Sequence, residues 1–271
     1  MKKLLLAAIV PALGALTAQA ITSIPQSALT PDGLYYTDHI GGGIGNIVVM
    51  TGGGNAPGIG DPTGRNDDGF SGPINLGFTL NFFANNYTQF FVNNNGNVSF
   101  GAGISAFTPT GPTGANAPII SPFFADVDTR NLNSGVVHIR TDIPDEVIVT
   151  WDNVGYYNQH APPNDSFQLV LRGPGYSIPV GEGAIGFFYK GMGWEQGDVS
   201  GVPAAVGFGN GLGDGEVLDG STQAGISRVV AEHHIWFDPN LAPVPSVPEA
   251  GSTLVLLGLG ASALAMFRRR K

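Results

Sequence analysis

Short runs of alternating apolar and polar residues, cut by Gly, Pro, Asn and Asp, restrict most strongly what this chain can fold into. Leu76, Phe78, Leu80 and Phe82 alternate with Gly77, Thr79 and Asn81. Successive side chains of a strand point to opposite faces, so the run reads as a strand with one buried side. Val147, Val149 and Trp151 likewise share one face while Ile148 and Thr150 take the other, and Phe167, Leu169 and Leu171 alternate with Gln168 and Val170. Gln89 to Val92 and Val98 to Phe100 flank Asn93-Asn94-Asn95-Gly96-Asn97. Asn and Gly accept positive φ, which predicts a β-hairpin there. Further strands are predicted at 119–125, 135–140, 184–189, 204–208 and 229–237, and no helical period of any length appears between residues 21 and 245. With 41 Gly and 20 Pro to supply turns, the expected fold class is all-β, a β-sandwich of short antiparallel strands, with a barrel as the alternative.

Both ends of the chain concern transport. Lys2 and Lys3 precede an apolar run from Leu4 to Leu16, and Ala18-Gln19-Ala20 offers the small residues a signal peptidase accepts. Residues 1–20 are therefore expected to form a cleaved signal helix. At the other end, Val247-Pro248-Glu249-Ala250-Gly251 leads into an apolar run that closes at Phe267, followed by Arg268, Arg269, Arg270 and Lys271. A helix from Gly251 to Phe267 rises about 26 Å, the lower edge of a single transmembrane span. The four terminal cations would stay cytoplasmic and leave everything before Val247 outside. Between the ends, 21–65 reads as an irregular Gly/Pro-rich segment with one short strand at Ile47 to Met50, 66–238 as the β domain and 239–246 as a Pro-rich linker.

Residues 21–248 keep only six of the 12 basic residues and 20 of the 21 acids, a formal charge of −14. Such a surface repels nucleic acid and attracts cations, so nucleic acid is not expected as a partner. Cys is absent, which removes disulfides and thiolate metal sites even for an oxidising destination.

In its order of motif, span and basic end, the C-terminal segment resembles the PEP-CTERM sorting signal of Gram-negative bacteria. Val247, Pro248, Glu249 and Gly251 match the usual Val-Pro-Glu-Pro-Gly, and Ala250 replaces the second proline. The resemblance implies recognition by an exosortase-type sorting enzyme that releases the protein from its span; a plain single-span anchor is the alternative. The middle of the chain resembles the NIDO domain, an extracellular module found in animal matrix proteins and bacterial surface proteins. The matching stretches are Asp67-Asp68-Gly69, Phe82-Phe83 with Tyr87, Phe91 through Phe100, Pro122 through Asp128, Val149-Thr150-Trp151 and Phe167 through Leu171. An adhesion or matrix module without established catalytic residues is what that resemblance implies.

Candidate sites are few. Asp126 and Asp128 would project from one face of a strand together with Arg130. A Ca²⁺ site is one reading, and an Asp–Arg cluster capping a strand end is the other. Asn66-Asp67-Asp68-Gly69 reads first as turn chemistry, and Gly209 to Gly220 as an acidic surface loop. His233 and His234 are adjacent and would point to opposite faces, while His39, His138 and His160 lack a companion at metal-ligand or triad spacing. Tyr156 and Tyr157, with Asn158, Gln159 and His160, would suit a sugar ring, or form a strand followed by a polar loop. No catalytic or cofactor-binding residue is assigned. The expectation is a non-enzymatic structural or adhesive protein, exported through an inner-membrane intermediate to the surface or matrix of a Gram-negative bacterium. Its expected partners are signal peptidase, the exosortase-type enzyme, and extracellular polysaccharide or matrix proteins. A carbohydrate-binding surface module is the alternative, and a secreted hydrolase ranks third.

Overall fold

The computed structural model of the chain describes residues 20–51 and 63–245. The signal segment up to Gln19, the Gly52-Gly53-Gly54 cluster and the sorting segment with its apolar run and terminal cations lie outside the described residues. Among the described residues, no helix is long and apolar enough to cross a membrane.

The described residues form two sheets of seven strands, numbered along the chain. The first runs β1 (Ile21–Ile24), β13 (Gly215–Leu218), β12 (Ala205–Gly209), β7 (Ile119–Phe124), β6 (Asn97–Ser99), β5 (Asn85–Asn93) and β4 (Ile74–Phe82). The second runs β2 (Thr30–Pro31), β14 (His233–Phe237), β11 (Ile185–Met192), β10 (His160–Arg172), β9 (Glu146–Tyr156), β8 (Val137–Arg140) and β3 (Asn46–Ile47). Neighbouring strands are antiparallel except β1 and β13, which pair in parallel.

Alternation decides which side chains meet between the sheets. Leu76, Phe78, Leu80 and Phe82 are buried while their neighbours on β4 are exposed or half-exposed. From the first sheet, Phe208 reaches Phe187 (centroids 5.4 Å apart) and Phe237 (4.8 Å), and Phe123 reaches Phe167 (5.5 Å). Each fully buried Phe contributes about 1.5 to 3 kcal/mol of transfer free energy, so this aromatic seam holds the two sheets together. The predicted hairpin forms as well: Phe91, Val92 and Asn93 pair with Ser99, Val98 and Asn97, and Gly96 takes φ 75°.

Residues 20–51 do not form an irregular lead-in. They supply edge strands to both sheets and a five-residue helix α1 (Tyr36–Ile40) that covers the outer face of the second sheet. Tyr36 packs there with Ile148, Val170, Phe188 and Trp236. Gln168 accepts from the Thr37 amide (3.2 Å) and donates to the hydroxyls of Thr37 (3.1 Å) and Thr150 (2.6 Å). The second sheet is thus buried on both faces of β9 and β10. Three further differences come from pieces too short to carry a period. Only Asn46–Ile47 of the segment 46–50 is strand; part of the supposed 209–220 loop is β13; and the run from Val229 splits into a second short helix, α2 (Ile226–Val230), followed by β14. The expected linker is also held down. Leu241 is buried, Pro243 bridges Phe237, and the Val244 amide donates to the Trp236 carbonyl (2.8 Å).

Beneath α1 lies Arg172, fully buried on β10. Its guanidinium donates to Glu146 (2.8 Å), Glu182 (2.5 Å), the Tyr36 hydroxyl (2.7 Å) and the Gly183 carbonyl (3.1 Å). It also lies over the rings of Trp236 (4.2 Å), Tyr176 (4.4 Å) and Tyr36 (5.1 Å). Removing the cation would strand the buried Glu146 carboxylate, which loses a charged partner in a site without water access. Arg172→Ala is therefore expected to destabilise the folded chain by about 3 to 5 kcal/mol, read from the shift of its urea midpoint; a loss below about 1 kcal/mol would mean the network is not holding α1.

Candidate functional site

The hairpin turn Asn93–Asn97 organises one end of the molecule. Asn93, Asn94, Asn95 and Asn97 are all buried, a costly position for amides unless every group is bonded. The chain meets most of that demand by winding around them, leaving Asn94 Oδ1 without a partner. The Asn93 side chain donates to Asn97 Oδ1 (2.7 Å) and Ser99 Oγ (2.9 Å) and accepts from the Ile104 amide (2.9 Å). Asn94 Nδ2 donates to the Val127 carbonyl (2.5 Å), and Asn95 Oδ1 accepts from the Val127 amide (2.9 Å). Trp151 Nε1 donates to the carbonyl of Asn94 (3.0 Å), while its ring stacks on Phe167 (5.1 Å, 11°).

Three passages from one sheet to the other converge on this turn. In the passage from β3 to β4, residues 66–70 are laced to 128–129 by the Asp67–Asp128 bridge and the Asn66–Thr129 hydrogen bonds, and the Asn94 amide donates to Gly69 O (2.8 Å). In the passage from β7 to β8, Asp126 accepts from the Tyr157 amide at its backbone oxygen (3.1 Å). In the passage from β11 to β12, Asp165 Oδ1 on β10 accepts from the amides of Gly193 (2.7 Å) and Trp194 (3.1 Å), and Gly197 comes so close to the Asp126 carboxylate that any side chain there would collide with it.

These constraints bring Asp67, Asp68 and Asp126 together, with one carboxylate oxygen of each within 4.8 Å of the other two. Asp68 sits at φ 59°, a conformation Asp tolerates better than most residues, and its Oδ1 accepts from Asn95 Nδ2 (2.7 Å). Asp67 Oδ1 and Asp126 Oδ2 are buried with no hydrogen-bond partner. Burial, reinforced by the neighbouring carboxylates, pushes Asp126 up to about 8 and Asp67 up to about 7, and raises Asp68 too.

Asp126 and Asp128 therefore do not act as a pair. Asp128 gives its oxygens to Arg130 Nε (2.9 Å) and Nη2 (2.5 Å) and accepts from the Gln159 amide (2.9 Å). Arg130 Nη2 also reaches Asp67 Oδ2 (2.8 Å). Asp126 turns instead toward Asp67 and Asp68. In the sequence those two read as turn residues, and nothing in their local spacing signals Asp126, 59 and 58 positions away.

The other sequence candidates are placed as follows. The Tyr156 ring stacks on His160 (4.7 Å) and tilts against Trp194 (5.3 Å), and Tyr157 lies under Arg130 (5.9 Å), so neither ring forms an open platform for a sugar. His233 and His234 do diverge: the first contacts the Ala231 carbonyl (2.7 Å), the second stacks on Phe188 (5.1 Å). His39 gains a companion its spacing did not reveal, since it and His234 approach Asp32 Oδ2 at 2.8 and 3.3 Å beside a cleft of about 530 Å³. Within 209–220 the acids tie down the chain: Asp214 accepts from the Ala20 amide (2.8 Å) and Asp219 from Ser23 Oγ.

The sequence of this two-sheet β domain matches a known protein family. The family profile described as NIDO related covers residues 48–249, so the chain belongs to the NIDO-related family. A second profile, described as the VPDSG-CTERM motif, covers 246–271. In that motif Val247, Pro248 and Gly251 coincide, Glu249 stands for Asp, and Ala250 stands for Ser, one small residue for another. Alpha-tectorin of Mus musculus is 32% identical over 172 residues, and that of Homo sapiens 30% over 174. Each alignment covers 54% of this chain and 8% of the relative, so the chain spans a small part of these curated proteins. No solved structure is significantly similar to it.

Asp165 offers a pH test of this end of the molecule. Its burial raises the carboxyl well above the ordinary value, so the folded state holds a proton that the unfolded chain releases above about pH 4. Stability from this group is complete below that pH and is lost as pH rises through the raised folded value. Asp165→Asn keeps an acceptor for Gly193 and Trp194 and should flatten the fall of the melting temperature as pH rises above about 4; an unchanged slope would count against a protonated Asp165.

Proposed function

We propose that this chain is an exported, non-enzymatic protein with a structural or adhesive role at the surface or in the extracellular matrix of a Gram-negative bacterium. The observation that carries this reading is the direct succession of a NIDO-related domain, 48–249, and a C-terminal sorting motif, 246–271. The alpha-tectorins are similar to it over 54% of the chain. Residues 1–20 serve as the signal peptide, cut after Ala20 with Ala18 as the second small residue. The apolar run to Phe267 holds the protein transiently in the inner membrane, and Arg268, Arg269, Arg270 and Lys271 stop it there. An exosortase-type enzyme reads Val247, Pro248, Glu249 and Gly251 and releases the domain. Matrix polysaccharide or protein is its destination.

The acidic body supports this reading, because a chain of −14 between residues 21 and 248 stays soluble outside the cell and does not adhere to anionic lipid or nucleic acid. Expression of the full chain in a host with an exosortase-type enzyme, followed by mass spectrometry of the surface fraction, is expected to give a protein that starts at Ile21 and lacks Arg268–Lys271. Deleting 247–271 should divert it from the surface fraction into the periplasm. A surface protein still ending in the four cations would overturn release by sorting.

A further inference from the structure

The three sheet-to-sheet passages that meet at the asparagine turn carry more negative charge than the protein neutralises. Asp67, Asp68, Asp126 and Asp128 face one guanidinium, Arg130, whose contacts go to both oxygens of Asp128 and one of Asp67. Asp126 receives nothing from it. The residue is 1% exposed and Asp67 is 5% exposed, yet each keeps a buried carboxylate oxygen without a hydrogen-bond partner. Unpartnered buried carboxylate oxygens are costly, and the fold has not met this demand from its own side chains.

We propose that Asp67, Asp68 and Asp126 bind one calcium ion, which staples the β3–β4 and β7–β8 passages together. Oxygen ligands lie about 2.3 to 2.6 Å from Ca²⁺, so any two on one ion are at most about 5 Å apart. The three carboxylates, within 4.8 Å of one another, satisfy that limit. The donor set is all oxygen, with neither thiolate nor imidazole in it, which suits a hard cation. Asp68 is only partly buried, leaving a side open to the waters that complete a calcium shell. Gly197 keeps the third passage clear of the Asp126 carboxylate. Arg130 divides the acids: it holds Asp128 and one oxygen of Asp67, and leaves the other Asp67 oxygen, Asp68 and Asp126 for the metal. The site rests on this geometry alone and stands apart from the reading of the protein as a sorted surface module.

The test uses the full chain, purified in detergent and stripped with EDTA, titrated with CaCl₂ in a calorimeter and melted over a series of calcium concentrations. A single saturable site is expected, with Kd no weaker than about 10⁻³ M, the weak end for extracellular calcium modules. The melting temperature should climb with the logarithm of free calcium. Asp126→Asn should melt at or above the wild-type temperature in EDTA, because it removes a buried carboxyl that has an unpartnered oxygen and acidic neighbours, and should lose the response to calcium. Should that variant fail to fold, Asp68→Asn, at the partly exposed ligand, is expected to weaken binding by about tenfold or more while folding normally. Asp142→Asn, in an exposed pair with Arg140, should bind as wild type does. A flat calcium titration up to about 10 mM, undiminished binding by the Asp126 or Asp68 variant, or equal affinity for Mg²⁺ would overturn the assignment.

Discussion

The hydrogen bonds from Trp151 and Val127 to the buried asparagine turn are the constraint on which the rest of this molecule depends. A β-hairpin turn ordinarily faces water, where its amides need no protein partner. Here it is turned inward, so the chain must supply partners, and it does so from both sheets: Trp151 from β9, Val127 from the passage after β7, Gly69 from the passage before β4. Each bond is worth about 1 kcal/mol when made, but the cost of an unmade one is larger. That asymmetry fixes the register of two separate crossovers and of β9 at once. It also explains why hydrophobic packing and polar specificity coexist at this end: the Trp151 ring stacks in the core on Phe167 while its nitrogen holds the turn.

Much of the fold was legible from alternation, and the reason is visible in the strands that carried it. β4, β9 and β10 are nine to thirteen residues long, enough for a period of two to stand out, and their predicted faces are the observed ones. Illegible were the pieces of two to five residues. β2 and β3 have two residues each and α1 has five, and what holds them is a tertiary partner: Arg172 and Gln168 under α1, the edges of an existing sheet for the strands. The acidic site shows the same division. Asp126 was singled out because an apolar run delivers it, whereas Asp67 and Asp68 resemble any polar turn until the Asp67–Asp128 bridge sets them opposite it. Their conjunction is a property of register between distant segments, which spacing along one chain does not encode.

Charge is distributed with a purpose that composition alone conceals. The body carries few cations, and two of them have structural posts: Arg172 beneath α1 with Glu146 and Glu182, and Arg130 between Asp67 and Asp128. The acids outnumber them, and several are gathered at the crossovers. An acidic exterior keeps the protein dispersed during export, and the same excess concentrated at the crossovers makes the interior of that end a sink for positive charge.

The pinned segment after β14 has a mechanical consequence. Because Pro243 and Val244 are paired to Phe237 and Trp236, the described chain leaves the body directly from the second sheet, with no slack between the last tie and the residues beyond 245. A force applied at residue 245 would therefore load β14 and the second sheet at once, before any loose chain could be drawn out.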